Sequence, residues 1–285
     1  MIMLNNNLRI FMKVAEKGSI TEAADELYIS QPAVSKAIKN LEDELCVKLF
    51  IRDKHTGLTL TSIGQKILSS AYQMADAENH IYQFAYMENH YLGGRLRIGT
   101  APIFTTCILS EMLPKYRKEY PDIQVEILEG SSGEVREMVM KHQADFGMIF
   151  SPFGDLEHEY LFSDKIVAVS SEPLPVKEVN LAAYHDRFIF CERSKETTLD
   201  NLPAKSKPDF SGCMIVQAAE SVIRLAEHGN GIGILSDLVL SSCPNNLYAY
   251  PVCPPIETET GIVAVSFSDL APAALKFIEM LKTML

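Results

Sequence analysis

The chain has 285 residues, more than one ordinary hydrophobic core holds, so two or more domains are expected. Hydrophobic residues make up 47% and charged residues 22%, which excludes a disordered polyelectrolyte. The formal net charge of −11 excludes a diffusely basic surface, so any cations that meet an acidic partner must be gathered on one face.

The charge is unevenly spread. Residues 1–65 hold eight Lys/Arg and eight Asp/Glu, and the remaining 18 Lys/Arg against 29 Asp/Glu carry the whole excess. A neutral N-terminal module therefore precedes an acidic body. Residues 1–7 show no basic segment followed by an apolar run, and no run is long enough to cross a bilayer. No membrane partner and a cytoplasmic location are the expectation. The six cysteines (Cys46, Cys107, Cys191, Cys213, Cys243, Cys253) are scattered without a CxxC pair. They suit neither a zinc cluster nor a disulfide framework.

Leu8, Phe11, Met12 and Ala15 recur at helical spacing and predict a first helix ended by Gly18. Ser19-Ile20-Thr21-Glu22 has the capping-box form, and Ile20, Ala23, Ala24 and Leu27 stripe a second helix. Ser30 can cap a third, with Pro32 tolerated in its first turn. Along SQPAVSKAIKNLEDEL, Val34, Ile38, Leu41 and Leu45 share one face, while Pro32, Lys36, Lys39 and Asp43 fall opposite. The front of this helix is basic and its acids, Glu42 to Glu44, sit at the rear. This order predicts helix-turn-helix geometry. Residues 48–52 and 58–61 then predict two short strands, a wing bearing Arg52, Lys54 and His55.

The ordered set Leu8, Phe11, Val14, Gly18-Ser19, Ala23-Ala24, Leu27, Ser30-Gln31-Pro32-Ala33-Val34-Ser35, Ile38, Leu41-Glu42, Leu45, Leu49-Phe50, Arg52, Leu60-Thr61 and Gly64 resembles the LysR-type transcriptional regulators. One departure is Cys46, where the family usually has glycine; glycine there permits a left-handed helix end. The resemblance implies that Ser30, Gln31, Pro32, Ser35, Lys36 and Lys39 face the major groove of double-stranded promoter DNA. It implies that Arg52 and Lys54 contact backbone or minor groove. Gln and Ser can bond base edges, and Lys can bond phosphate or guanine.

Thr61 or Ser62 can cap a long helix running to about residue 89, roughly 40 Å at 1.5 Å per residue. Ile67, Ala71, Met74, Ile81 and Ala85 form its broken apolar stripe, with Leu68 and Ala75 beside it. By the resemblance this linker helix pairs with its counterpart in a homodimer or homotetramer, with RNA polymerase admitted as a further partner. Residues 91–94 mark a hinge.

From Arg95 strands and helices alternate: 96–99, 109–116, 125–128, 135–139 and 146–150 read β-α-β-α-β and predict a parallel sheet with crossover helices. Further strands are expected at 165–169, 188–190 and 262–265, a helix, glycine-rich turn and strand over 222–235, and a closing helix from Pro272. The body resembles the LysR effector domain, which has the two-lobed α/β fold of type 2 periplasmic binding proteins. The expected division is 1–61 winged helix-turn-helix, 62–90 linker helix and 91–285 effector domain. Within the last, one lobe is expected at about 93–163 plus 266–285 and the other at about 164–265.

In such folds the ligand lies at the carboxyl ends of strands. Thr100, Pro102, Ile103, Ser131, Phe150, Arg193 and Ser194 occupy such positions and are the candidate effector-binding residues. Hydroxyls, helix N-termini and Arg193 together suit an anionic metabolite. HGNGIGIL follows a helix rather than opening one, so it is a poor nucleotide loop. No metal spacing and no GxSxG motif is present, so neither a cofactor nor an enzymatic reaction is expected. A thiol redox sensor on the same scaffold, using Cys191 or Cys213, is the alternative.

Overall fold

The computed structural model describes residues 5–53, 57–88, 92–182, 187–192 and 212–285. The chain divides into two compact units, Met1–Arg95 with Lys141–Gln143 and Ala271–Ala273, and Leu96–Met140 with Ala144–Leu270 and Ala274–Leu285.

In the first unit, α1 (Asn6–Lys17) is capped by the Asn5 side chain and stopped by Gly18 at φ 62. The Ser19 hydroxyl caps α2 (Ile20–Glu26) by accepting from the Glu22 N–H. In the same way Ser30 accepts from the Ala33 N–H at the start of α3 (Gln31–Leu45). Each cap meets a backbone donor that the helix itself leaves open. Phe11, Val14, Ala23, Ala24, Val34, Leu41 and Leu49 are buried together between these helices. Leu45, expected on the buried face, is 41% exposed, and Ala37 is buried instead. It is the last helical residue, and the chain turns away immediately after it.

The turn is made by Cys46, left-handed at φ 54 and ψ 32. Then β1 (Phe50–Asp53) pairs antiparallel with β2 (Gly57–Leu60), Phe50 opposite Leu60. The Thr61 hydroxyl caps α4 (Ser62–Glu88) by accepting from the Gly64 N–H at 2.9 Å. Gly64 is required by close approach, because a Cβ there would lie 2.3 Å from the Leu49 carbonyl oxygen. Leu68 and Ala71 of α4 are buried, whereas Met74, Ile81, Phe84 and Met87 are exposed. Near its end Asn79 and the buried Gln83 both donate to the Arg95 carbonyl.

β3 (Gly93–Thr100) leads into the second unit. A helical run follows: α5 (Pro102–Phe104), a π-turn over Thr105–Leu109, and α6 (Ser110–Glu119). Next come β4 (Asp122–Glu129), α7 (Ser132–Met140), β5 (Phe146–Phe150), β6 (Glu157–Ser170) and β7 (Val179–Asn180). The remainder comprises β8 (Phe188–Cys191), β9 (Met214–Val216), α8 (Ala219–Glu227) and β10 (Ile232–Ser236). It closes with α9 (Asp237–Ser242), β11 (Tyr248–Cys253), β12 (Glu257–Ala264) and α10 (Pro272–Met284).

The strand order is β4-β3-β5-β12-β6-β10-β8-β9, with β11 also on β6. The expectation of a parallel sheet holds only in part. β3 with β5, and β10 with β8 and β8 with β9, are parallel. β12 runs antiparallel to both β5 and β6, and β10 runs antiparallel to β6. The 14-residue β6 serves both halves of the sheet. Glu157–Lys165 pairs with β12, and Ile166–Ser170 pairs with β10 and β11. Separate apolar clusters back the two halves, one around Val135, Ile149 and Val263, the others around Phe188, Phe190 and Ile234 and around Val169, Val222 and Leu235. No helix among the described residues is long and apolar enough to cross a membrane.

Candidate functional sites

The front of α3 is open. Ser30, Gln31, Pro32, Ser35, Lys36 and Lys39 are all exposed. Among the described residues neither Lys36 nor Lys39 is held in an ion pair. Three other cations of the helical module, Lys13, Lys17 and Lys48, are committed to acids, while Arg9 on α1 is also exposed and without an ion pair among the described residues. Lys13 Nζ lies 2.7 Å from both Glu16 and Glu26, and Lys17 Nζ 2.5 Å from Glu26. Those two ammonium groups hold the Glu26 carboxyl down to about 2. Lys48 pairs with Glu42.

Glu42 is the buried acid at the rear of α3. Its Oε1 accepts from the Leu49 N–H at 2.9 Å, fixing the chain as it leaves for β1. Burial alone would raise its carboxyl; hydrogen bonds from the Lys48 ammonium and the Leu49 N–H overcome this and hold it below its ordinary value. The wing backbone places Arg52 opposite Leu58 on the hairpin. The Arg52 side chain and Lys54 lie outside what the structure describes. Sequence reasoning missed Tyr28, left-handed at φ 54 and 95% exposed in the turn leading to α3.

The second unit contains a cleft of about 430 Å³ at the carboxyl ends of its strands. Of the expected residues, Pro102, Ile103, Ser131 and Phe150 line it. Phe150 is steadied by Phe104, their ring centroids 4.7 Å apart. Thr100 does not line it: the side chain is fully buried and its hydroxyl donates to the Ala101 carbonyl. Arg193 and Ser194 lie outside the described residues. The opposite wall, largely unforeseen, brings Gln217, Glu220, Ser236 and Ser242 from the second half of the unit, with Thr258 from β12. Glu220 and Ser236 flank the helix-turn-strand stretch expected over 222–235, so a signal near them existed. Thr258 arrives by a long-range strand pairing that no local pattern announces.

The expected anion site at the start of α7 is closed by the protein itself. The Ser131 N–H donates to Glu134 Oε2 at 2.6 Å, and the Ser131 hydroxyl accepts from the Glu134 N–H at 3.3 Å. This reciprocal capping uses the donors an anionic ligand would need. Ser132 Oγ accepts from the Phe150 N–H, so it too is engaged. At α9 the Ser236 hydroxyl accepts from the Val239 N–H, and the Leu238 N–H donates to Asp164 Oδ1.

Cys191 is buried and donates to the Gln217 carbonyl. Burial pushes the thiols of Cys107 and Cys253 above their ordinary value. Among the described residues no group of three His, Cys, Asp or Glu side chains is placed to hold a metal ion.

A helix-turn-helix with an open basic front, followed by an α/β body with a strand-end cleft, has the architecture of a DNA-binding regulator. Residues 5–65 match the bacterial regulatory helix-turn-helix protein, lysR family, and residues 89–285 match the LysR substrate binding domain. The chain belongs to the LysR family of DNA-binding transcriptional regulators. It is 42% identical over 286 aligned residues to YoaU of Bacillus subtilis strain 168, an uncharacterised HTH-type transcriptional regulator, with 99% of each chain covered. In structure it is similar to a full-length OxyR variant of Pseudomonas aeruginosa, with a TM-score of 0.70, 20% identity and coverage of 99% and 94%. It is also similar to full-length CbnR complexed with its target DNA, with a TM-score of 0.59, 16% identity and coverage of 98% and 99%. These two likenesses concern the fold.

Proposed function

We propose that α3 reads duplex promoter DNA, that α4 pairs two copies of the chain, and that a small molecule in the cleft of the body sets the regulator's state. The corresponding parts are residues 1–61, 62–90 and 91–285. The observation that carries the DNA half is the pair of exposed lysines, Lys36 and Lys39, left without acidic partners among the described residues while Lys13, Lys17 and Lys48 are neutralised. Gln31 and Ser35, exposed beside them, supply donors and acceptors for base edges. Ser30, Pro32, Arg52 and Lys54 complete the proposed reading surface. CbnR, whose fold this chain shares, has been seen on its target DNA, which supports the same use of the module.

What supports pairing through α4 is its exposed apolar row. Met74, Ile81 and Phe84 recur at heptad-like spacing on a 27-residue helix. What supports an effector is the cleft, whose apolar floor and hydroxyl-bearing walls suit a metabolite-sized molecule. Pro102, Ile103, Ser131 and Phe150 are its proposed contacts on one side. Switching then requires that the ligand prefer one conformation of the body over another.

The test is fluorescence anisotropy on a duplex selected by the wild-type chain from a random library. Lys36→Ala with Lys39→Ala should weaken binding at least tenfold while the thermal transition stays in place. Wild-type affinity in a folded double variant would remove α3 as the reading element.

A further inference from the structure

We propose that the cleft takes a compact ligand with an apolar body and a positively charged amine end, held against Glu220 and Glu129, and that it rejects carboxylates of the same shape. This rests on the reading of the cleft as the effector site and assigns its chemical class.

The first observation is the charge of the wall. Among the described residues that line the cleft, Glu129 and Glu220 are charged, and none is a lysine, arginine or histidine. Neither carboxylate is held in an ion pair among the described residues. Both are exposed and so stand at the rim of the cleft, where a single sign of charge beside a concave, partly apolar wall draws cations toward it. The remaining polar groups, such as Gln217, Ser242 and Thr258, are neutral and serve either charge class.

The second observation concerns the helix ends, and at two of the three it does not involve those two acids. Helix N-termini are what a folded protein ordinarily offers an anion. At α7 that offer is already taken by Glu134, whose Oε2 accepts from the Ser131 N–H. At α9 it is taken by Asp164, whose Oδ1 accepts from the Leu238 N–H at 3.2 Å. At α8 the N-terminus has no side-chain cap, but Glu220 stands in its first turn. The partial positive charge there, about half a unit, is outweighed by the full negative charge of the carboxylate.

The third observation concerns what lies behind the wall. Asp164 is 8% exposed, and its Oδ2 makes no hydrogen bond among the described residues. Its carboxyl lies beside the Ser236 hydroxyl, and its main-chain oxygen accepts from the Thr258 hydroxyl. Both of those residues face the cleft. What stands behind this part of the wall is thus a carboxyl group and not a cation. An amine ligand with a short hydrocarbon body fits this combination: Ile103, Phe150 and Val239 take the body, and the carboxylates take the charge.

The experiment uses the full chain and shape-matched trios: benzylamine, benzyl alcohol and benzoate, with butylamine, butanol and butyrate. Binding is read by calorimetry and thermal shift, in the wild type and in Glu220→Gln and Glu220→Lys. The expected order is amine over alcohol over carboxylate, with the amine at least tenfold ahead of the carboxylate. Glu220→Gln should shrink that preference, and Glu220→Lys should reverse it. Equal binding of amine and alcohol in the wild type overturns the charge assignment and leaves the cleft as the effector site. Carboxylates binding tightest overturns it too and returns the cleft to an anion reading through Arg193. Saturable binding by none of the probes at millimolar concentration removes both the assignment and the cleft as a site for ligands of this size.

Discussion

Replacing Cys46 by glycine isolates the backbone strain at the end of α3. Cys46 closes that helix at φ 54 and ψ 32, with its N–H bonded back to the Glu42 carbonyl. In this region the Cβ of an L-residue crowds its own carbonyl oxygen, at a cost of roughly 1–2 kcal/mol. Glycine escapes that cost but surrenders roughly 0.5–1 kcal/mol through the extra freedom of its unfolded chain. The thiol itself returns little, since Cys46 is exposed and its Sγ lies 3.6 Å from the Asp43 carbonyl. The difference favours glycine by about 0.5–1 kcal/mol. A chain with two compact units has no single unfolding free energy, so the effect must be read locally. Amide exchange of the peptides covering residues 41–50, followed by mass spectrometry, should slow roughly two- to fivefold in Cys46→Gly. Cys46→Ala keeps the Cβ and loses the thiol, so it should stay within error of wild type. Faster exchange in the glycine variant, or equal slowing in the alanine variant, would refute the strain argument.

Glu42→Ala leaves the buried Leu49 N–H without its acceptor and should destabilise the helical module by about 1–3 kcal/mol, read by the same exchange measurement. Because the Glu42 carboxyl is held below its ordinary value of 4.5, its contribution is present above that pH and is lost as pH falls through the lower, folded value. Glu42→Gln should therefore flatten the acid limb of exchange across the α3–β1 junction; an unchanged limb would mean other groups set it. Ile81→Glu with Phe84→Glu places charge on the two apolar residues of α4 that are 56% and 60% exposed. Sedimentation should show loss of the dimer, and an unaltered mass would move the pairing surface elsewhere. Asp164 has the opposite sign to Glu42: burial raises its carboxyl, so the folded state is favoured while it is protonated and loses that advantage as pH rises. Asp164→Asn should leave stability unchanged or raised above neutral pH, and a clear loss in thermal transition would show that the ionised form is needed.

The helical module was legible because its signals are local. Ser19, Ser30 and Gly18 mark helix ends by their own chemistry, and the apolar stripes follow the 3.6-residue repeat. Leu45 failed because periodicity does not say where the core stops. In the body, β5, β8 and β10 announce themselves as apolar runs, and β3 by the alternation of Leu96 and Ile98 with arginines. The first half of β6, Glu157–Asp164 by sequence, is polar and largely accessible, and β11 carries Pro251 and exposed tyrosine, so neither stands out. Their pairing with β12 and with the far half of β6 is a matter of long-range register. At the cleft, the strand-end rule found one wall and not the other. Ser131-Ser132-Gly133-Glu134 has the same S-x-x-E form that marked Ser19 as a cap. Read that way, it would have withdrawn Ser131 as an anion donor from the start.

That same logic explains how a neutral module can bind a polyanion. What matters is which charges are spent internally, not their sum. Glu16 and Glu26 absorb Lys13 and Lys17, and Glu42 absorbs Lys48. Asp43 stands four residues after Lys39, the poorer order for a helical ion pair, and no ion pair joins them among the described residues. Lys36 and Lys39 are therefore free to replace counterions on DNA. Two such lysines per chain make four in a dimer, and four phosphate contacts give a slope of about −3.6 for log affinity against log salt. If all four bind phosphate, Lys36→Ala with Lys39→Ala should remove about that much of the wild-type slope. A double variant that loses affinity equally at every salt concentration would instead mean that the lysines contact bases, and that the phosphate contacts come from elsewhere in the module.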